Sequence, residues 1–295
     1  MTWRELWAQT AATVGDRASA RWLCEVAASA DDGDDFVTML GDSPTDRMVA
    51  HLDAMLARLA TGEPLQYVLG QWSFRRIELA IDQRVLIPRP ETELVAGVAI
   101  EKAMSVGPPR TVADLGTGSG AIGLSLAFEL PLDGTTVWIT DASADALDVA
   151  RANLAGLGRK GRNVRVGEGP WFDAVPADLR FDVIVSNPPY VATVSPELAA
   201  SVVDWEPAAA LFAGPDGLDD IRTIVRDSFD RLVPGGWLIL EIGAGQGAAV
   251  RDRLAERGFT AVEIRRDLAD RDRIAIAQRA TGPDPLARGA RTSPS

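Results

Sequence analysis

The sequence predicts an α/β fold: a doubly wound, mostly parallel seven-stranded sheet, with a small helical domain at the N-terminus. From residue 111 to residue 277, short apolar runs alternate with segments of helical periodicity. A glycine-rich loop at 116–120 directly follows the first of these runs. Residues 1–62, in contrast, show helical spacing of apolar residues. Repeated β-α units of this kind build parallel sheets that are covered by helices on both faces.

Residues 1–62 are predicted to form an N-terminal helical bundle that recognises a partner. Its clearest helix runs up to Gly62, a stop signal, and its apolar residues recur at helical spacing: Met48, Val49, Leu52, Met55, Leu56 and Leu59. The acidic segment at 31–35 is predicted as a solvated loop, because it lacks the spacing of a calcium-binding loop. Residues 63–88 are predicted as a β-hairpin linker, on the evidence of Trp72, Phe74, Ile77, Leu79 and Ile81.

The remaining elements follow in order along an α/β domain predicted over residues 89–280. A helix begins after Pro90. The predicted strands cover 111–115, 136–140, 164–166, 181–186, 237–242, 260–264 and 273–277. The first helix between them follows the glycine-rich loop and ends near residue 130, and the later helices are predicted at 144–157, 218–232 and 246–257. Because a short loop joins the last two strands, one of them is expected to run antiparallel. Residues 281–295 are rich in Pro, Arg, Gly and Ser and are predicted to be a disordered tail.

Composition narrows the function classes. The 295 residues include 42 acidic and 30 basic side chains, and the formal net charge of −12 argues against broad binding to nucleic-acid phosphates. A single cysteine, Cys24, and a single histidine, His51, exclude an intrachain disulfide and a metal site built from His and Cys. No signal sequence or membrane-spanning stretch is evident. We expect a cytoplasmic, monomeric protein with no metal and no membrane association.

The loop after the first strand fits two kinds of cofactor. Gly118, Gly120 and Gly123 satisfy the G-x-G-x-x-G pattern of dinucleotide-binding proteins, and Asp141 follows about 20 residues later. The alternative is an Asp-x-Gly-x-Gly-x-Gly loop, in which Asp114 serves the cationic amino-acid end of S-adenosylmethionine and Asp141 accepts from the ribose. The second interpretation is favoured, because the chain has no evident residue for hydride transfer.

An amide-recognition motif follows the predicted strand at 181–186. Asn187, Pro188, Pro189 and Tyr190 lie just beyond that strand, at the sheet edge where ligands of open α/β folds bind. The Asn187 side-chain oxygen and the Pro188 carbonyl can each accept an N–H from one NH₂ group. The two prolines fix φ and remove donors, which aims these acceptors, and the Tyr190 ring can lie against a flat group. The motif is therefore typical of methyl transfer to a conjugated NH₂.

With both motifs placed, the chain resembles the protein glutamine methyltransferases of the HemK/PrmC type from about residue 60 to residue 278. Further support comes from Gly-Glu-Pro-Leu-Gln-Tyr-Val-Leu-Gly at 62–70, Leu-Ile-Pro-Arg-Pro-Glu-Thr-Glu at 86–93, and the segments Glu-Pro-Ala-Ala-Ala-Leu at 206–211 and Asp-Gly-Leu at 216–218. The resemblance implies a Rossmann-like, S-adenosylmethionine-dependent methyltransferase domain at 89–280. It also implies methyl transfer to the side-chain nitrogen (N5) of the glutamine in the Gly-Gly-Gln motif of class 1 peptide chain release factors.

The same resemblance implies roles for individual residues. Asp141 would bind the ribose and Trp171 would flank the adenine, while Pro170 stands where the family often has an acid whose contact Glu168 could replace. The residues implied for the cofactor's amino-acid end are Gly116, Thr117, Gly118, Ser119 and Gly120. Those implied for the glutamine amide are Asn187, which would also touch the cofactor, with Pro188, Pro189 and Tyr190. Asn187, Pro188 and Tyr190 are the candidate catalytic residues.

Several alternatives stay open. Arg89, Glu91 and Glu93 open a predicted helix, so they either cap it or line the pocket. The substrate could instead be a glutamine of a ribosomal protein or, given the motif alone, an adenine amino group of DNA or RNA, although no direct nucleic-acid binding is expected. A non-catalytic binding module and a nicotinamide-dependent oxidoreductase are the remaining function classes.

Overall fold

The computed structural model describes residues 1–30, 33–193 and 204–282. These residues form two compact units. The first comprises Met1–Trp72 together with Asp204 and Trp205, and the second comprises the other described residues. The tail predicted at 281–295 lies outside the described residues from 283 onward.

The first unit consists of five helices around an apolar core. They are α1 (Trp3–Val14), α2 (Arg17–Ala28), α3 (Gly33–Met39), α4 (Asp46–Ala60) and α5 (Leu65–Leu69). Side chains cap three of them, at Thr2, Asp16 and Thr45, which explains where these helices begin. The loop predicted at 31–35 is wrong for 33–35, which start α3; acids in a first turn are favoured by the helix dipole. The core includes Trp3, Leu23, Phe36, Leu52 and Met55.

A two-stranded sheet follows, formed by β1 (Gln71–Phe74) and β2 (Ile77–Ala80). The large sheet then contains β3 (Arg110–Leu115), β4 (Thr135–Asp141), β5 (Val164–Glu168), β6 (Phe181–Ser186), β7 (Leu232–Glu241), β8 (Phe259–Arg266) and β9 (Asp272–Arg279). The strand order is β5-β4-β3-β6-β7-β9-β8, and β9 runs antiparallel to both of its neighbours. The predicted doubly wound, mostly parallel sheet of seven strands is confirmed.

Five helices accompany the large sheet within the described residues. They are α6 (Pro90–Ser105), α7 (Ala121–Glu129), α8 (Ala144–Gly156), α9 (Asp219–Arg231) and α10 (Gly247–Arg257). Helix α6 packs on β6 and β7, which brings its first turn close to the carboxyl ends of both strands. No described helix is long and apolar enough to cross a membrane.

The strand order places a topological switch point between β3 and β6. From β3 the chain proceeds outward through β4 and β5, and then returns to β6 on the other side of β3. In the parallel register of these two strands, Asp114 pairs with Val185 and Leu115 with Ser186. The loop after β3 and the segment after β6 therefore leave the sheet side by side, at the edge where open α/β sheets bind ligands.

Candidate active site

A cleft of about 320 Å³ opens at this switch point. A concave site of that size can enclose a ligand of small-molecule dimensions. The predicted site residues in its walls are Asp114, Gly116, Thr117, Gly118, Ser119, Asp141, Trp171, Asn187 and Pro189. Three other predicted residues, Gly120, Pro188 and Tyr190, are not among its wall residues. The sequence of β3, β4 and β6 thus brings two separate motifs into one cavity.

Glycine is required in the loop after β3 for backbone reasons. Gly116, Gly118 and Gly120 have φ values of 68°, 56° and 90°, a region that other residues rarely adopt. A Cβ at Gly116 would lie 3.3 Å from the Trp171 ring, and one at Gly120 would lie 2.6 Å from Leu124 Cδ1. Gly116 therefore lets the Trp171 ring approach the loop, whereas Gly120 lets α7 begin immediately after it.

Asp114 is a buried carboxylate in the cleft wall, and one of its two oxygens lacks a hydrogen-bond partner among the described residues. Its Oδ2 accepts hydrogen bonds from the Thr117 hydroxyl at 2.5 Å and from the Gly123 N–H at 2.8 Å. Its Oδ1 is buried and has no hydrogen-bond partner among the described residues. Burial raises the pKa of Asp114 to about 6, against the effect of its hydrogen bonds and with a contribution from Asp141. An ammonium group would satisfy both the free oxygen and the charge.

Asp141, at the end of β4, is held by two backbone amides. Its Oδ2 accepts from the Gly118 N–H and its Oδ1 from the Ser143 N–H, both at 2.9 Å. The Gly118 N–H, which a phosphate-binding loop would direct at its ligand, is therefore already bound to a carboxylate. Two carboxylates in one cleft disfavour a pyrophosphate and favour a cation, so the electrostatics support S-adenosylmethionine over a dinucleotide.

Trp171 is half-buried in the cleft wall with a φ of 48°. Such a backbone conformation is strained for a bulky residue and is often found at ligand sites. Pro170 and Glu168 are exposed and are not wall residues of the cleft. Among the residues lining the cleft, Trp171 is therefore the flat aromatic surface on which a purine ring could lie.

The amide-recognition segment divides between the cleft and the interior. The Asn187 Nδ2 donates to the Thr92 hydroxyl oxygen at 3.4 Å, and Pro188 is buried. The Tyr190 hydroxyl donates to Glu241 Oε1 at 3.3 Å, and burial together with the Glu241 charge raises the pKa of Tyr190. Tyr190 is thus anchored behind the cleft wall, while Asn187 and Pro189 face the cavity.

Thr92 and Glu241 are site residues that the sequence reasoning missed. Thr92, in the first turn of α6, lines the cleft and donates its hydroxyl to Glu241 Oε2 at 2.7 Å. Glu241 is fully buried at the end of β7, and this burial raises its pKa to about 7, although the Thr92 hydrogen bond and the Arg273 charge oppose the rise. The sequence did contain a signal for Glu241: it is a carboxylate that directly follows an apolar run, and it ends the strand at the edge of the sheet where the cleft lies.

The acidic and basic residues that open α6 lie outside the cleft wall. Arg89 forms an ion pair with Glu206, whose second oxygen accepts the Ile87 N–H at 3.1 Å. Glu93 accepts the Arg75 N–H at 3.2 Å. These contacts fix the chain leading into α6, and so they hold Thr92 in the wall. Among the described residues, no cluster of His, Cys, Asp and Glu could hold a metal ion.

The fold and the cleft define the protein as a methyltransferase of the α/β type. Residues 98–205 match the family described as methyltransferase small domain, and residues 9–70 match the PrmC N-terminal domain. The chain is 40% identical over 243 residues to the release factor glutamine methyltransferase of Neisseria gonorrhoeae, covering 82% of this chain and 86% of that protein. It is 45% identical over 236 residues to that of Burkholderia pseudomallei, covering 79% and 82%. The chain belongs to the release factor glutamine methyltransferase family, as the sequence motifs predicted.

Among solved structures that match the chain, the hMettl16 match supports the fold. The hMettl16 catalytic domain, in complex with a MAT2A 3'UTR hairpin, matches with a TM-score of 0.52 and 19% identity, over 81% of this chain and 82% of that chain. A protein-(glutamine-N5) methyltransferase (release factor-specific) from Alicyclobacillus acidocaldarius is 29% identical, with a TM-score of 0.41, over 66% and 94%. The first match identifies a shared architecture.

Proposed function

We propose that this enzyme transfers a methyl group from S-adenosylmethionine to the side-chain amide nitrogen (N5) of the glutamine in the Gly-Gly-Gln motif of class 1 peptide chain release factors. The observation that carries the proposal is the shared cleft: the free Asp114 oxygen and the Asn187 amide lie in the walls of the same cavity. One group suits a cationic cofactor and the other suits a neutral amide. The names of the relatives support a release factor as the substrate.

The residues present fit S-adenosylmethionine. Asp114 Oδ1 is an unpaired acceptor for the ammonium group, Asp141 has lone pairs left for the ribose hydroxyls, and the Trp171 ring offers a surface for the adenine. Gly116, with Thr117, Gly118, Ser119 and Gly120, would hold the amino-acid end. When bound, the cofactor would supply an electrophilic methyl group on its sulfonium, and the neutral thioether of S-adenosylhomocysteine would be the leaving group.

The chain's own contribution to the reaction is orientation. Asn187 Oδ1 and the Pro188 carbonyl would each accept one N–H of the glutamine NH₂, so that its nitrogen lone pair is turned toward the methyl group. The same acceptors would stabilise the positive charge that develops on this nitrogen. Fixed proximity can supply roughly 7–11 kcal/mol in favourable cases. The methylated amide can then lose its proton to water, so that no general base is required.

A methyl-transfer assay on defined substrates tests this proposal. Purified class 1 release factor, the same factor with its motif glutamine changed to alanine, and a ribosomal protein fraction would each receive labelled S-adenosylmethionine, followed by peptide mass mapping. We expect one added methyl on the Gly-Gly-Gln glutamine and none on the alanine variant. Labelling of the ribosomal fraction alone would replace the release factor by a ribosomal-protein glutamine as the substrate. Labelling of nucleic acid alone would overturn glutamine transfer altogether, although the net charge of −12 argues against it.

A further inference from the structure

A buried chain of polar side chains extends from the cleft wall into the interior behind Asn187. Asn187 Nδ2 donates to Thr92 Oγ1, the Thr92 hydroxyl donates to Glu241 Oε2, and the Tyr190 hydroxyl donates to Glu241 Oε1. Arg273 donates to the Tyr190 oxygen at 3.4 Å and to the Ile242 carbonyl at 3.1 Å. The fully buried Glu241 carboxylate is therefore bonded directly by Thr92 and Tyr190, and through them it is linked to Asn187 and Arg273.

The direction of these hydrogen bonds is set by Glu241. Both Glu241 oxygens act as acceptors, Oε2 from the Thr92 hydroxyl and Oε1 from the Tyr190 hydroxyl, so the one Thr92 proton is given to Glu241. Thr92 Oγ1 then has only lone pairs to offer to Asn187. The side of the Asn187 amide that faces Thr92 must consequently be the NH₂ group, and Oδ1 is turned away from Thr92.

We propose that Glu241 and Thr92 are positioning residues that select the productive orientation of the Asn187 amide. This inference rests on the proposed function, in which Asn187 Oδ1 accepts an N–H from the substrate glutamine. An Asn amide rotated by 180° would present a donor to the glutamine NH₂, which is itself a donor, and the two groups would repel. The relay from Glu241 through Thr92 excludes that orientation, because Thr92 Oγ1 accepts only from the NH₂ side of the Asn187 amide.

The same carboxylate holds the aromatic end of the motif. The Tyr190 hydroxyl lies between Glu241 and Arg273, and the Arg273 guanidinium is 5.9 Å from the Tyr190 ring centre. Arg273 is in turn held by Asp267. Glu241 therefore fixes both Asn187 and Tyr190, the two ends of a segment whose middle is made rigid by two prolines.

A matched set of threonine variants of the full-length protein tests the relay. Thr92→Val keeps the shape and removes the hydroxyl, whereas Thr92→Ser restores it. Thr135→Val is the control, because the Thr135 hydroxyl is also buried but has no hydrogen-bond partner among the described residues. Thr135 is the first residue of β4, so it lies at the amino end of the strand, away from the cleft. We expect kcat on release factor to fall roughly tenfold in Thr92→Val, with recovery in Thr92→Ser. The KM for cofactor should stay within about twofold, because the relay acts on Asn187.

A second readout does not depend on the substrate. The side-chain amide protons of Asn187, assigned by their loss in Asn187→Asp, can be followed by ¹H–¹⁵N NMR and solvent exchange. We expect exchange to quicken by roughly tenfold in Thr92→Val and in Glu241→Met, which removes both acceptor oxygens, and to remain unchanged in Thr135→Val. Unchanged exchange in both relay variants would overturn the inference, as would wild-type kcat in Thr92→Val. If the wild-type protein transfers no methyl to release factor, the proposed function fails, while the NMR result still decides whether the relay orients Asn187.

Discussion

Replacing Asp114 by asparagine should weaken cofactor binding and stabilise the fold at the same time. The asparagine carbonyl oxygen can keep both hydrogen bonds that Oδ2 now accepts, from the Thr117 hydroxyl and the Gly123 N–H. Its NH₂ group would take the place of Oδ1, the buried oxygen that has no partner among the described residues. The change thus replaces an acceptor for the ammonium by a donor and removes a buried negative charge.

The magnitudes follow from burial and charge. The pKa of Asp114 rises from an ordinary value of 3.8 to about 6 in the fold, chiefly because burial disfavours the carboxylate. Since the folded pKa lies above the unfolded one, the ionised group destabilises the protein at pH 7, and the penalty disappears as the pH falls through 6 toward 3.8. The penalty is on the order of 3 kcal/mol, which is an upper bound for the gain in Asp114→Asn. Loss of a charged hydrogen bond, about 1.5–3 kcal/mol, predicts cofactor binding that is weaker by roughly 10- to 150-fold.

Two measurements on the same samples check this prediction. Calorimetric titration with S-adenosylhomocysteine gives the affinity, because this product has the same amino-acid end, and urea unfolding at pH 7 gives the stability. Asp178→Asn is the control, since it removes the same charge from an exposed position outside the cleft. Cofactor affinity equal to that of the wild type in Asp114→Asn would refute the assignment of this carboxylate to the ammonium group. A loss of stability would refute the view that its burial is costly.

Further predictions concern the same cleft. Cofactor affinity of the wild type should fall as the pH drops below about 6, by a factor that approaches tenfold per pH unit, because Asp114 must be ionised to bind an ammonium. Titration calorimetry from pH 5 to 8 should show this dependence, and Asp114→Asn should lack it. Gly116→Ala should lose more cofactor affinity than Gly118→Ala: both have positive φ and incur strain of about 1–3 kcal/mol, but only a Cβ at Gly116 approaches the Trp171 ring. Equal losses in the two variants would contradict this role for the ring. Trp171→Ala should weaken S-adenosylhomocysteine binding by roughly tenfold, in keeping with one lost stacking contact, and a Kd unchanged from the wild type would remove the ring from the adenine site.

The fold was predictable because local sequence patterns indicate most of its helices and strands. Buried parallel strands are continuous apolar runs, and β3, β4 and β6 begin within one residue of the predicted positions. The start of strand β7 was harder to predict: the strand begins at Leu232, whereas the sequence pattern indicated residue 237. Pro234, Gly235 and Gly236 resemble a turn, yet they lie inside the strand where its register with β6 shifts.

The candidate site was predictable only where its residues are contiguous in sequence. The loop at 116–120 and the segment beginning at Asn187 are local motifs, and the β3–β6 register then sets them side by side. Thr92 and Glu241 lie 149 residues apart and meet because α6 packs on β7. No spacing in the sequence encodes that contact. It depends on strand order and helix placement, which only the folded chain supplies.

In the proposed reaction, Asn187 orients the substrate amide in the cleft that holds the methyl donor. The test is single-turnover methyl transfer to purified release factor at saturating S-adenosylmethionine, with wild type, Asn187→Ala and Asn163→Ala compared. Asn163 is a suitable control because its side chain bonds the Leu132 carbonyl outside the cleft wall. We predict that the rate falls on the order of 100-fold or more in Asn187→Ala, with folding intact, and is unchanged in Asn163→Ala. A rate in Asn187→Ala within about threefold of the wild type, which is less than about 1 kcal/mol in the barrier, would show that Asn187 does not orient the substrate amide.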